Sequence, residues 1–221
     1  MTEEQLRNMT DVEIQELMDC KAAAVFPAHL AVVQVQAANY DSWYLRQQGY
    51  HVRGSGAYTV LAVRDVETDD DFARIAALPM IRQLGPINSM LIPARLDTVR
   101  DLRVAAAPLK ADILLVYTFD TVFRVKDHDV GPLNLIALGF LPNQEARVSC
   151  TASAALFDVR TGYLYGLCEA TAAEKQSASI WSSEQAVDDS RKRAERAAFG
   201  KLLDEFEKTW KGVVETYAAQ K

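Results

Sequence analysis

The 221-residue chain predicts an α/β fold, with α+β left open as its variant: a mixed β-sheet covered by helices and ending in one long helix. Three observations carry that expectation. Short β-branched runs alternate with amphipathic ones, the pattern of layered sheet and helix. DILLVYTFDTVFRV at 112–125 begins as the continuous apolar run of a central strand and then alternates. Residues 182–219 keep a helical period without a breaker. The expected organisation is a helical extension over 1–27 followed by a single α/β domain over 28–221, a length that one core can serve.

Taken in order, Thr10 and Glu13 form a capping box ahead of Val12, Ile14, Leu17 and Met18, so a helix is expected over 10–23 and ended by Pro27. HLAVVQVQA (29–37) reads as a strand, YDSWYLRQQG (40–49) as a short helix closed by Gly49, RGSGA (53–57) as a loop and YTVLAVRDV (58–66) as a second strand. ETDDDFARIAAL (67–78) reads as a helix in which Thr68 caps and Asp71 completes the box. A calcium loop is the sharper alternative there, but spaced ligands, a glycine and a closing Glu are missing.

MIRQLGPINSMLIP (80–93) is expected to be a broken strand leading to an edge. A helix is expected over 94–111, burying Val99, Leu102, Val104 and Ala106 and stopped by Pro108. After the central strand, Phe119, Thr121, Phe123 and Val125 should share one face, against Asp120, Val122, Arg124 and Lys126 on the other. ARVSCTASAALFDV (146–159) and GYLYGLCEATAAEK (162–175) should pair through a tight turn at DVRTG, with Gly162 free to take positive φ. Tyr163 and Tyr165 then share a face, and Leu164 and Gly166 take the other. In the long final helix, Ser182 or Ser183 can cap, and Ala194, Ala198, Leu202, Phe206 and Val213 form the packed stripe. DDSRKRAER is expected as its solvated, ion-paired face.

Composition narrows the function classes. A net charge of −6 disfavours nonspecific nucleic-acid binding. No run approaches the ~20 apolar residues of a spanning helix. The amino terminus lacks the basic-then-apolar order of an export signal. Cys20 follows LMD, a poor lipid-attachment box, and reads as a structural thiol. None of the three cysteines has CxxC spacing. If 158 lies opposite 163, Cys150 and Cys168 are offset on opposite faces and unsuited to a disulfide, although a one-residue bulge would change that parity.

Candidates for chemistry are few. The stretch FDVRTGYLYG (157–166) holds Asp, Arg, Thr and two Tyr, all of which a hairpin can use without catalysis. His128 stands between Asp127 and Asp129, a trio that could begin a metal site but that reads as a solvated loop. His29 and His51 are isolated. GSG at 54–56 is too short for a phosphate-binding loop, and Ser149 and Ser153 lack a nucleophile-elbow context. No cofactor, metal or catalytic residue is assigned. VGPLNLIALGFLP offers the candidate interaction surface, Leu133, Leu135, Ile136, Leu138, Phe140 and Leu141. It is either core or an exposed patch that meets a partner or a membrane.

AAPLKADILLVYTFDTVFRV resembles the strand entry of the TolB amino-terminal and CsgG-like envelope proteins, and ALFDVRTGYLYG resembles their hairpin. LpoB-type activators are built similarly, and bacterial lipoproteins of the rhombotarget type resemble these two segments more closely. The resemblance covers roughly 28–220 in order of elements. It implies a non-catalytic envelope module acting through protein–protein contacts in assembly or secretion, with envelope proteins or further copies of itself as partners. Membrane association would come through a lipid anchor, with a periplasmic, outer-membrane-associated location. Such proteins begin with an export signal and a lipidated cysteine, which this chain does not show: either it starts after that anchor or the protein stays in the cytoplasm. The alternative is a cytoplasmic small-molecule or metal-binding protein or hydrolase with a site near 124–132 or 51–57.

Overall fold

The computed structural model describes residues 14–38, 40, 42–47, 55–61, 64–125, 128–129, 145–177 and 183–218. The first helix, α1, covers 14–19, and residues 20–25 are not helical. The expected helix over 10–23 is therefore shorter at its carboxy-terminal end; its capping box lies outside the described residues. Residues 23–24 instead give their N–H groups to side chains of the distant hairpin. That contact competes with continuing the helix.

β1 (Ala28–Ala37) is buried on both faces along nearly its whole length, as the middle of a sheet requires. The short helix α2 follows (Trp43–Gln47), then β2 (Ser55–Gly56) and β3 (Tyr58–Leu61). α3 (Asp69–Ala76) starts at the expected box, with Thr68 and Asp71 bonding reciprocally, which settles DVETDDD as a helix start. β4 (Ile81–Pro86) leads to a 3₁₀ turn at Ser89–Leu91 and to β5 (Arg95–Leu96). α4 (Val99–Ala106) is shorter than expected and buries Leu102, Ala105 and Ala106, while Val104 is exposed. Pro108 sits inside a following 3₁₀ turn, Ala107–Leu109. β6 (Ile113–Val125) leads to β7 (His128–Asp129); β8 (Glu145–Asp158) and β9 (Leu164–Ser177) form the hairpin; α5 (Glu184–Val213) closes the chain and runs into a π-helical turn over Val214–Ala218.

The sheet is mixed, in the order β3-β1-β6-β8-β9, with β4 beside β1 and β7 beside β6. β1 runs parallel to β4 and β6, whereas β6, β8 and β9 are antiparallel. This is the α/β architecture that the sequence predicts. β2 and β5 make a separate parallel pair, so part of the expected 53–57 loop is strand.

Two cores lie on opposite faces of the sheet. On one, α5 presents Ala194, Ala198, Leu202, Phe206 and Val213 to Leu115, Tyr117, Phe119, Val148, Cys150 and Leu156, with Ile75 of α3 joining them. The expected stripe of α5 is thus the packed one. On the other, α4 covers Ala31, Val33, Val35 and Leu114. β6 alternates as read: Phe119 and Phe123 are buried, and Asp120 and Arg124 are exposed.

Candidate functional site

The hairpin turn is built around Asp158, the last residue of β8, which is fully buried. Its Oδ1 accepts from the N–H groups of Arg160 and Thr161 at 2.9 and 3.0 Å. Its Oδ2 accepts from the Ala23 N–H and from the Tyr165 hydroxyl, both at 2.7 Å. The Tyr165 hydroxyl in turn accepts from the Ala24 N–H. Burial pushes the Tyr165 phenol well above its ordinary range, so it remains a hydrogen-bond donor. Gly162 takes φ +83°, and a Cβ there would lie 2.6 Å from Arg103 Nη1. Arg103 donates to the carbonyls of Val159 and Arg160, and Cys20 donates its thiol to the Thr161 carbonyl. Arg160 extends outward, 56% exposed along its side chain, toward Asp112 and the Ala23 carbonyl. The polar groups of 157–166 therefore hold the turn and clasp residues 20–24 to it.

One register detail differs from the simple reading. Phe157 pairs with Leu164 and Leu156 with Gly166, so Tyr165 is the extra residue of a bulge. Tyr165 keeps its expected contact with Tyr163, while Gly166 turns toward α5, where a Cβ would meet Thr209 Cγ2 at 2.7 Å. The bulge also shifts the cysteines: Cys150 pairs with Ala172 and Cys168 with Ala154, which puts both thiols on the α5 side but four residues apart. Both are free. Burial pushes Cys150 up to about 12 and Cys168 to about 11, so neither is a ready nucleophile.

A second constellation contradicts the expected solvated face of α5. Within DDSRKRAER, Asp188, Ser190, Arg191 and Glu195 are buried. Arg191 donates to Asp65 at 2.6 Å, to Asp188 at 2.9 Å and to Glu195. Glu195 also accepts from Thr121 at 2.9 Å. Lys192 lies 3.6 Å from the centre of the Tyr44 ring and within 4 Å of Asp65 and Asp188. Burial pushes Glu195 up to about 7, against the pull of Arg191. Next to this network, Tyr117 donates to Glu67 at 2.8 Å, and burial raises the Glu67 carboxyl. A charge-rich helical stretch normally faces water. Here Asp65 supplies the opposite charge from a distant loop, a pairing that local periodicity cannot register. Since removing charges from water costs as much as their attraction returns, the cluster fixes where α2, the 64–67 loop and α5 meet more than it adds stability.

The third feature is a surface. On the face opposite α5, the register aligns Leu114–Phe157–Leu164, then Val116–Ala155–Leu167, then Thr118–Ser153–Glu169, then Asp120–Thr151–Thr171. The first row tucks beside α4, but Leu164 and Leu167 remain 41% and 66% exposed. A shallow groove of about 310 Å³ runs over the middle rows, lined by Val116, Thr118, Ser153, Ala155, Leu167 and Glu169. Ser153 donates to Glu169 at 3.2 Å, and the hydroxyls of Thr151 and Thr171 bond at 3.0 Å. Exposed apolar rows that grade into hydroxyl rows suit contact with another macromolecule.

The candidate surface named from sequence, Leu133, Leu135, Ile136, Leu138, Phe140 and Leu141, lies outside the described residues, as do Asp127 and His51. His128 and Asp129 form β7, paired with Val125 and Arg124. His29 is buried in β1. No group of three or more His, Cys, Asp or Glu positioned for a metal occurs among the described residues, and none of their helices is long and apolar enough to cross a membrane.

No protein-family model matches the chain, and no curated protein matches it. Among solved structures, it is similar to the hypothetical protein CT253 from Chlamydia trachomatis. The two are 10% identical, the match covers 85% of this chain and 97% of that one, and the TM-score is 0.34.

Proposed function

We propose that the chain is a non-catalytic cell-envelope module that works through protein–protein contacts. The observation that supports this reading best is the open face of β6, β8 and β9, where Leu164 and Leu167 stand exposed beside a groove. The groups with most chemical capacity are spent inside the fold: Asp158 on four internal hydrogen bonds, Arg191 on three carboxylates. The envelope setting draws on the likeness of the central strand and hairpin to the lipoprotein families above.

Fractionation of the native, tagged gene product in its source cell tests the reading. The protein is expected in the envelope fraction, released by detergent. A product found wholly in the cytoplasmic fraction contradicts it.

A further inference from the structure

At one end of the sheet β1, β4, β6 and β9 begin and β8 stops, with Ala28, Ile81, Ile113, Asp158 and Leu164 near one level of the register. The segments that close this end carry cations. Lys21 is exposed between Cys20, bonded to the Thr161 carbonyl, and Ala23, bonded to Asp158. Arg82 and Arg160 reach Asp112 from β4 and from the turn, at 3.7 and 3.5 Å, and their side chains are 61% and 56% exposed. Arg103 donates to the turn carbonyls, and Lys110 stands exposed two residues before Asp112. No ion pair among the described residues takes up Lys21, Arg103 or Lys110. Carboxylates at this end are fewer and mostly withdrawn. Asp112 and Asp158 are buried. Glu215, brought here by the ring contacts of Tyr217 with Tyr163 and Tyr165, lies 3.9 Å from Lys211. Asp19 is exposed beside Cys20. A chain of net charge −6 thus turns a cationic end to solvent.

Apolar side chains protrude among these cations: Val25 and Met80 are each 42% exposed. Met80 and Lys110 are also the non-glycine residues in left-handed backbone among the described residues, at φ 63° and 56°. Glycine or asparagine is the ordinary choice there, so an apolar tip and a cation are held at a conformational cost. We infer that this end docks on an anionic lipid surface, with Lys21, Arg82, Lys110 and Arg160 at the headgroups and Val25 and Met80 entering the interface. Charge selects the occupant, since clustered Lys and Arg draw a protein to anionic headgroups. Single apolar tips set among cations suit a fluid surface into which each settles separately. A protein partner needs a contiguous patch of roughly 800 Å². Docking by the end leaves Leu167 and its groove free, so the inference goes beyond the proposed protein contacts and does not depend on them.

Flotation of the purified full chain with vesicles tests it. At ~50 mM salt the chain should float with phosphatidylcholine vesicles holding about 30% phosphatidylglycerol, and ~500 mM salt should release it. It should not float with phosphatidylcholine alone. Lys110→Glu should weaken binding at least ~fivefold, and adding Lys21→Glu should weaken it further. Arg147→Glu, the same charge change on an exposed residue at the far end of β8, should alter it less than ~twofold. Val25→Ser with Met80→Ser should weaken it without abolishing its salt dependence. Circular dichroism checks folding, and Lys110→Gln gives a milder second probe. No flotation with anionic vesicles at low salt, or equal losses from Lys110→Glu and Arg147→Glu, overturns the inference. Release by millimolar inorganic phosphate, or by polyglutamate, also overturns it, by assigning this end to a free anion or to an acidic protein. Envelope fractionation reads the proposed function separately, so either can fail alone.

Discussion

Asp158 is the residue on which the hairpin and the amino-terminal segment depend together. Replacing it with Ala removes four hydrogen bonds from the turn and leaves the buried Tyr165 hydroxyl without its acceptor, and an unsatisfied buried donor costs ~1–3 kcal/mol. Asp158→Ala should therefore lower stability by about 3 kcal/mol in urea unfolding, with Asp158→Asn intermediate. Gly162→Ala should cost ~1–2 kcal/mol, because its φ is +83° and Arg103 occupies the space. Glu195 makes a pH prediction. Its carboxyl sits at about 7 when folded against an ordinary 4.5, so the folded state holds the extra proton between those values. Its contribution is present at pH 4.5 and below and is lost as pH rises toward 7, by up to about 3 kcal/mol. Unfolding of wild type and Glu195→Gln across pH 4.5–8 should show wild type losing stability relative to the variant as pH rises. Asp158 was legible at this scale because a DxxTG turn states its own purpose. Glu195 and Arg191 were not, because the Asp65 that pairs with Arg191 lies 126 positions away in sequence.

At the scale of elements, α5 is the chief cover of the antiparallel strands. Trp210 is 1% exposed, stacks on Phe206, and donates to the Pro79 carbonyl at 2.8 Å. Trp210→Ala should destabilise by about 4 kcal/mol, through the cavity it leaves; thermal unfolding measures it. Elements with a strong period or a cap were readable: β1, β6, α3 and α5 lie within a few residues of their expected bounds. Misreadings arose where tertiary contact overrides local preference. α1 ends early because residues 23–24 are captured by the turn. At Val104 the period itself was misread: two residues from Leu102, it falls on the opposite side of α4 and is 58% exposed. The one-residue bulge at Tyr165, which sends Gly166 and Cys168 toward α5, leaves no local sequence mark beyond the glycine itself.

For the molecule as a whole, one sheet carries two unequal coats. α5 spans β6, β8 and β9 on one side, while among the described residues the core on the α4 side takes in β1, Val60 of β3, the start of β6 and Phe157 near the end of β8. The open remainder was hidden in sequence because Val116, Ala155 and Leu167 are scattered along the chain and join only when the register is known. Function by contact, with no reaction centre, is the central claim, and position 167 tests it most directly. A photocrosslinking residue placed there in the full chain, in living source cells, should give a discrete adduct larger than the 24.5 kDa chain. The same residue at position 104, equally exposed on α4, should not. Absence of any adduct from 167 in cells where the protein is folded and abundant would contradict the account.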